Sequence, residues 1–571
     1  MAKPQPPKKK QPVKKQTNFY QYANWLLLAL ALICYLPVLN LDLTQLDDTV
    51  FINDKHDFVS SFSNIPKAFV QGAFNEKDIY YRPFLLVYFI LLNPLTSKTS
   101  IVAYHFGSLF FHVLNVFLLY KLLFRLTGKK NHSFWLSAFF CVHPALTMAV
   151  AWIPGINDLL LTTFALGYFL SLLRIAEGGP WKYIAQNVLF LLLALFTKES
   201  AAFLPLGGVL LLWYRGHLES TLKKFLAYIP LTIAAWALWF FARKYVLPEN
   251  TPALINTEML SLLFHRATGL IQYFGKCILP FNLVVFPTIE GTNILWGIAA
   301  MALVAILLVQ NKERNIKNIF IGLGWFLIFL LPIFFVPKNI NDQLFEHRLY
   351  LPMFGILLLL RETVLFTSSI KISTRQAISV GVVAACIVNI HYYTPNFADT
   401  FSFWNNAVAA SPENSYANKM LGIKLAENKR EAEAVPYIQK AYELDSNEMY
   451  TRLFLARLIF MPKQNWDSAR YYLEREALLN PKFSDTYADL AQVCVAQKDL
   501  PAAEKNIRKF LEFKPDDQFY NNNLVLLYRD QGKYSEALAH ADTMKARGLE
   551  VNAGLYKMLQ DSSHHTPSNN E

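Results

Sequence analysis

Two adjacent carboxylates, Asp47 and Asp48, stand between Leu46 and the run Thr49-Val50-Phe51-Ile52-Asn53. One carboxylate of such a pair can act as a general base, while the other holds a divalent metal ion or orients an acceptor. Taken alone, an Asp-Asp pair is more often a solvated acidic turn or a helix cap. Its company alters that balance. Arg82 with Pro83, Asn157 with Asp158, Lys198 with Glu199, and Glu346 with His347 and Arg348 all interrupt strongly apolar sequence. Polar groups in such surroundings are expensive and mark functional cavities. His105, His112 and His143 lie inside apolar runs, where each by itself reads as a hydrogen-bonded packing residue. A carboxylate beside several cations suits sugar transfer from a lipid-linked phosphate. The carboxylate takes the proton of an acceptor hydroxyl, and the cations stabilise charge building on the leaving phosphate. No GxxxxGK loop is present, which argues against a soluble nucleotide donor.

The elements that must hold these residues are membrane helices. Of the 571 residues, 54% are hydrophobic and 17% charged, a balance foreign to water-soluble globules of this size. The net charge of +12 includes the run of lysines at Lys8, Lys9, Lys10, Lys14 and Lys15. Most other cations sit in short loops between apolar runs, where they orient a membrane protein rather than grip nucleic acid. The five cysteines are scattered singly and read as core residues. Apolar runs long enough to cross roughly 30 Å of hydrocarbon fall near 22–39, 101–126, 134–152, 157–174, 181–197, 200–214, 224–242, 293–310, 318–336, 349–365 and 376–393. This makes about eleven spans. Loops carrying Arg125, Arg174, Arg215, Lys312 and Lys371 alternate consistently with a cytoplasmic N-terminus. That parity makes Leu263 to Val285, which contains Arg266, Gln272 and Lys276, an outer re-entrant or interfacial helix. Pro83 to Leu95 is expected along the same interface. Asp47, Asp48, Arg82, Asp158, Lys198, Glu199, His347 and Arg348 then share the non-cytoplasmic face.

Beyond Tyr393 the sequence turns polar and repetitive. Ala434, Ala469, Ala503 and Ala537 recur about every 34 residues, the period of tetratricopeptide hairpins, with one inserted residue in the unit around Ala469. Leu421 with Gly422, Tyr487 with Leu490, and Leu524 with Tyr528 fill the expected large and small positions, and Pro412, Pro481 and Pro515 mark hairpin ends. Such repeats stack into a solenoid with a protein-binding concave face.

In order along the chain stand Leu46-Asp47-Asp48, Tyr81-Arg82-Pro83, Tyr104-His105, His112-Val113-Leu114-Asn115, Val142-His143-Pro144 with Ala149-Val150-Ala151-Trp152, Lys198-Glu199 and Arg348-Leu349-Tyr350-Leu351-Pro352. Followed by the repeats, this succession resembles the transmembrane and tetratricopeptide-repeat O-mannosyltransferase-like family of GT-C glycosyltransferases. The resemblance implies an all-α chain: a polytopic GT-C membrane domain over 22–395 with its first outer loop at 40–100, then a tetratricopeptide α-solenoid over 396–555. Disordered tails are expected at 1–21 and 556–571. It further implies an inverting enzyme that transfers a sugar, mannose among the candidates, from a polyprenyl-phosphate donor to a hydroxyl, with protein Ser or Thr as the expected acceptor. The base falls on Asp47 or Asp48, and Arg82, His143, Asp158, Lys198, Glu199, His347 and Arg348 fall to the donor phosphate and substrate. Two positions depart from the family pattern: Met148 replaces a frequent acid and Ile156 a frequent Arg. The expected partners are the lipid-linked donor, an acceptor protein on the repeats and membrane lipids, without nucleic acid. The expected location is a bacterial inner membrane with a periplasmic repeat domain, the endoplasmic reticulum being the alternative. Two other readings are a lipid-linked glycan ligase or polymerase and a non-catalytic scaffold.

Overall fold

A computed structural model describes residues 19–74, 80–96, 101–248, 258–289, 291–334, 343–367 and 370–563. Among the described residues the regular secondary structure is entirely helical. The chain divides into two compact units, Met1–Asn406 and Ala407–Glu571, with the division falling inside the helix Thr400–Ala410.

Among the described residues of the first unit, five helical segments are long and apolar enough to cross a membrane: Ala23–Asn40, Val102–Thr127, Ile153–Ala176, Ile316–Phe334 and Ile372–Phe397. Lys130–Cys141 and Pro144–Ala151 form a sixth such segment if taken as one span bent by 55°. The bend lies at Val142-His143-Pro144, where proline removes a helical donor. Lys182–Leu195, Leu295–Val309 and Pro83–Leu95 are shorter apolar helices. The helices Leu204–Arg215, Leu218–Val246 and Met353–Arg361 overlap the remaining expected stretches but are not among the segments long and apolar enough to cross. Large apolar side chains such as Trp25, Phe106, Phe110, Ile233, Phe241, Ile298, Phe320 and Val388 are exposed. Water would penalise that many exposed apolar groups, whereas hydrocarbon does not.

Inside the unit, small residues bring helices together, as they do between membrane helices. A Cβ on Gly322 would lie 2.7 Å from the Gly355 carbonyl, and one on Gly275 would lie 2.7 Å from Gly297 Cα. Some buried polar groups are paired between helices. Asn115 Nδ2 donates to Leu159 O at 2.9 Å and Asn115 Oδ1 accepts from Thr163 Oγ1 at 2.8 Å. His112 meets the Tyr350 hydroxyl at 2.7 Å and the Cys141 carbonyl at 3.0 Å, the packing role expected of it. Since the Cys141 carbonyl only accepts, His112 Nε2 carries the proton and Nδ1 accepts from Tyr350.

The segment Glu258–Ile278 is a single helix packed against Leu295–Val309 and Ile316–Phe334. Its polar residues are held inside the unit. Arg266, Gln272 and Lys276 are all buried and bond to Phe334 O, to Ile289 O and Thr292 O, and to Glu346 respectively.

The second unit is a run of helical hairpins: Ser415–Glu427 with Glu431–Leu444, Thr451–Leu455 with Trp466–Leu479, Ser484–Ala496 with Leu500–Phe513, and Gln518–Asp530 with Tyr534–Ala546. Ala434, Ala469, Ala503 and Ala537 are fully buried at equivalent crossings. A Cβ on Gly422 would fall 2.7 Å from Ile438 Cδ1, so that crossing needs glycine. The inserted residue of the Ala469 unit has a visible outlet: Ala456–Phe460 winds as a π turn directly after Thr451–Leu455, the usual way a helix absorbs one extra residue. Each hairpin turn uses one left-handed residue, Lys429, Gln464, Lys498 and Gly532. Only the last is the glycine that this conformation favours. The tail expected to be disordered from 556 is instead helical over Ala553–Ser563. Leu559 is buried against the last hairpin, because the open end of a solenoid exposes apolar surface that a capping helix covers. The basic N-terminal tail to residue 18 and residues 564–571 lie outside the described residues.

Candidate active site

The charged residues gather at breaks between helices of the first unit. Arg82 precedes the helix Pro83–Leu92, whose proline occupies the first turn, where no donor is lost. Asp158 lies in the first turn of Ile156–Ala176, where the helix dipole favours a carboxylate. Lys198 and Glu199 occupy the break between Lys182–Leu195 and Leu204–Arg215. His347 and Arg348 belong to the 3₁₀ turn Glu346–Leu349 that leads into Met353–Arg361.

The fold brings six of the predicted residues together. Lys198 Nζ donates to both Asp158 oxygens at 2.7 Å, with side-chain exposures of 13% and 7%. Arg82 clasps Glu199 through Nε at 3.2 Å and Nη2 at 2.9 Å. With the Asn157 amide oxygen turned toward it, Arg82 Nη1 donates there at 2.9 Å, and the amide nitrogen donates to Thr197 O at 2.9 Å. His347 Nε2 lies 3.9 Å from Asp158 Oδ2, and its ring stacks on Phe345 and tilts over Trp152. Arg348 donates to Gln343 O at 2.7 Å and covers the Phe345 ring. Burial pulls Lys198 below the usual lysine range; Asp158 opposes that pull, and the positive charges of Arg82 and Arg348 add to it. The same two arginines act on His347, so these groups share one electrostatic field.

Burial, followed by the charges of Lys198, Arg348 and Arg82, holds the His347 imidazole well below its ordinary pKa. It is therefore a neutral hydrogen-bonding group, and its Nδ1 is buried with no hydrogen-bond partner among the described residues. The linkage has a defined sign. A histidine kept neutral by the fold contributes stability that is full above about pH 6.5, the free value, and is lost as pH falls. His347→Gln should therefore shrink the drop in Tm between pH 7.5 and pH 5. An unchanged drop would mean that His347 protonates freely in the folded chain.

The acidic pair separates into two environments. Asp48 is 1% exposed, and Oδ2 accepts from Thr44 N at 2.7 Å and Thr44 Oγ1 at 2.9 Å while Oδ1 accepts from Thr49 N at 3.0 Å. Burial pushes its carboxyl up despite these donors. Asp47 is half-buried. His143 is engaged by the backbone at both ring nitrogens, accepting from Ala145 N at 3.3 Å and meeting Cys277 O at 3.1 Å. It pins the bend after Lys130–Cys141 to the end of Glu258–Ile278. Met148 and Ile156 are fully buried, and their apolar side chains match that burial.

Two features escaped the sequence. Arg243, at the end of Leu218–Val246, interacts electrostatically with Glu199; the pair Arg243-Lys244 closing an apolar run was the available signal. Lys276 forms a buried pair with Glu346 at 2.6 Å, for which the only hint was a lysine within an apolar helix. Among the described residues no group of three or more His, Cys, Asp or Glu is arranged for a metal ion.

No family model matches the chain. It is similar to the protein O-mannosyl-transferase F38B6.6 of Caenorhabditis elegans, with 23% identity over 443 residues covering 74% of this chain and 62% of that protein. It is also similar to the human protein O-mannosyl-transferase TMTC3, with 33% identity over 125 residues covering 21% of this chain and 13% of that one. The chain thus spans less than two thirds of the length of these relatives. Among solved structures, the Cut9–Hcn1 hetero-tetramer of APC/C is 14% identical with a TM-score of 0.25, covering 94% of this chain and 98% of that chain. MamA of Desulfovibrio magneticus RS-1 is 14% identical with a TM-score of 0.23, covering 31% and 91%. Through its curated relatives and its ordered motifs, the chain resembles the transmembrane and tetratricopeptide-repeat protein O-mannosyltransferase family.

Proposed function

We propose that the chain is a GT-C type membrane glycosyltransferase that moves a sugar, mannose by analogy with its relatives, from a polyprenyl-phosphate donor to a protein hydroxyl. The observation that carries this reading is the charge count at the helix breaks. Among the described residues, Arg82, Lys198, Arg243 and Arg348 cluster with Asp158 and Glu199, a surplus of two positive charges beside a neutral histidine. A polyprenyl phosphosugar is a phosphodiester with one negative charge, and the phosphate that leaves carries up to about two. The surplus therefore matches the leaving group better than the donor, which is the condition for lowering a barrier rather than merely binding.

In this reading Asp47 accepts the proton of the acceptor hydroxyl as its oxygen attacks the anomeric carbon. The bond from that carbon to the phosphate oxygen breaks, the configuration inverts, and polyprenyl phosphate departs. Asp47 is preferred to Asp48 because it is only half-buried, whereas Asp48 is 1% exposed and out of an acceptor's reach. His347 Nδ1 is placed to bond a phosphate or sugar oxygen. The site faces the non-cytoplasmic side, with the N-terminus cytoplasmic and the repeats presenting the acceptor there, the periplasm if the membrane is a bacterial inner membrane.

The test is transfer of mannose to protein in membranes containing the full chain, supplied with polyprenyl-phosphate mannose or with a nucleotide-linked mannose after the lipid donor has been depleted. Transfer from the lipid donor alone is expected. Transfer from the nucleotide sugar would sink the donor assignment, and no transfer by correctly folded chain would favour the scaffold reading.

A further inference from the structure

Glu346 is fully buried one residue before His347, and it is held by three separate segments. Lys276 Nζ donates to Oε1 at 2.6 Å, Val284 N donates to the same oxygen at 3.3 Å, and the Tyr393 hydroxyl donates to Oε2 at 3.0 Å. Lys276 is itself only 2% exposed. A buried ion pair is a poor way to gain stability, since well-packed apolar residues do as well or better. What three donors on two oxygens provide is direction.

The directions lead to both halves of the candidate site. On one side, Glu346 begins the turn that carries His347 and Arg348. On the other, Tyr393 ends the helix Ile372–Tyr393 and is followed by the turn Thr394–Phe397. The residues just after that turn grip the acidic loop: Ala398 O accepts from Asp42 N at 2.8 Å, and Thr400 Oγ1 donates to Leu43 O at 3.0 Å. Thr44, the next residue, anchors Asp48.

We propose that Glu346 is a positioning residue that sets the register between the base-bearing loop and the phosphate-binding cations. It touches neither donor nor acceptor. It acts through Tyr393 and Thr400 on the loop of Asp47, and through its own turn on His347 and Arg348. Catalytic groups must be held within about 0.5 Å of their productive placement, and an error of about 1 Å can cost about a hundredfold in rate.

This inference rests on the glycosyltransferase reading, so the experiment separates the two. The full chain is purified into lipid nanodiscs, and transfer from polyprenyl-phosphate mannose is followed in wild type, Tyr393→Phe, Thr400→Val and the neutral pair Lys276→Met with Glu346→Gln. Tyr393→Phe and Thr400→Val each remove one hydroxyl while keeping the side-chain shape. Each should lower kcat per folded molecule by about ten- to a hundredfold with donor KM unchanged; Tyr393→Phe also lowers Tm, because it leaves a buried carboxylate oxygen without its donor. The neutral pair removes the ion pair that directs residue 346 without stranding a buried charge, and should show the same loss of kcat with donor KM unchanged. Two variants at opposite ends of one arm giving the same loss of kcat per folded molecule at unchanged KM is a signature that a merely structural role would not produce. An active wild type in which Tyr393→Phe, Thr400→Val and the neutral pair all keep normal kcat per folded molecule overturns the positioning role alone. A wild type that transfers nothing overturns the function and this inference with it.

Discussion

Asp47→Asn is expected to lower sugar transfer by about 10²- to 10⁴-fold, the usual contribution of a positioned general base, without lowering the amount of folded protein. Asp48→Asn should do the reverse. Asp48 accepts three hydrogen bonds from Thr44 and Thr49 in a buried loop. An amide there turns an NH₂ group toward donors and leaves buried groups unmatched, at a cost of about 1–3 kcal/mol. Activity per folded molecule should then stay close to wild type. The measurement is transfer from polyprenyl-phosphate mannose normalised to folded chain, alongside Tm. If Asp48→Asn abolishes turnover at full Tm while Asp47→Asn turns over normally, the roles of the two carboxylates are exchanged. If both variants turn over normally, the acidic loop has no part in the chemistry.

The second large effect concerns the surplus positive charge. Arg348→Gln should reduce kcat by about 10²- to 10³-fold, the scale on which preorganised donors to a developing charge contribute. Its cost to stability should be small, because Arg348 donates to a backbone carbonyl and is only partly buried. Lys198→Met provides the contrast. It strands the Asp158 carboxylate at 7% exposure and should destabilise the fold by about 3–5 kcal/mol, the price of an orphaned buried charge. Adding Asp158→Asn to Lys198→Met removes the stranded charge and leaves the surplus at two. The double variant should regain most of the lost stability and a substantial share of the transfer rate. Chemical denaturation together with single-turnover kinetics separates these outcomes. Normal turnover by Arg348→Gln would refute a role for the surplus, and a double variant that is stable but inert would assign the chemistry to the Lys198 ammonium itself.

The curated relatives extend well beyond the matched region, since the chain covers 62% of one and 13% of the other. Their naming as protein O-mannosyl-transferases makes mannose the first sugar to test. The basis for a lipid-phosphate donor is instead the local chemistry of Arg82, Lys198, His347 and Arg348.

The sequence by itself determined the helical class, the apolar helices, and a repeat legible down to one inserted residue. That legibility has a physical basis. A helix buries a face every three or four residues, and a stacked hairpin repeats its small residue at a fixed period, so local order records these features directly. The extra residue before Ala469 changed the period and surfaced as the π turn Ala456–Phe460. The residue types at the candidate site were legible too, because charges stand out in apolar sequence. Their partners were not. Lys198 pairs with Asp158, 40 residues away, rather than with its neighbour Glu199, which takes Arg82 from 117 residues away. Asp47 and Asp48 look equivalent in sequence, yet the loop closes over Asp48 and leaves Asp47 half-buried. Lys276 finds Glu346 across 70 residues, and His143 spends both ring nitrogens on the backbone. Periodicity tells which face of a helix is buried; which charge meets which depends on how helix ends converge in space, and only the tertiary structure decided that.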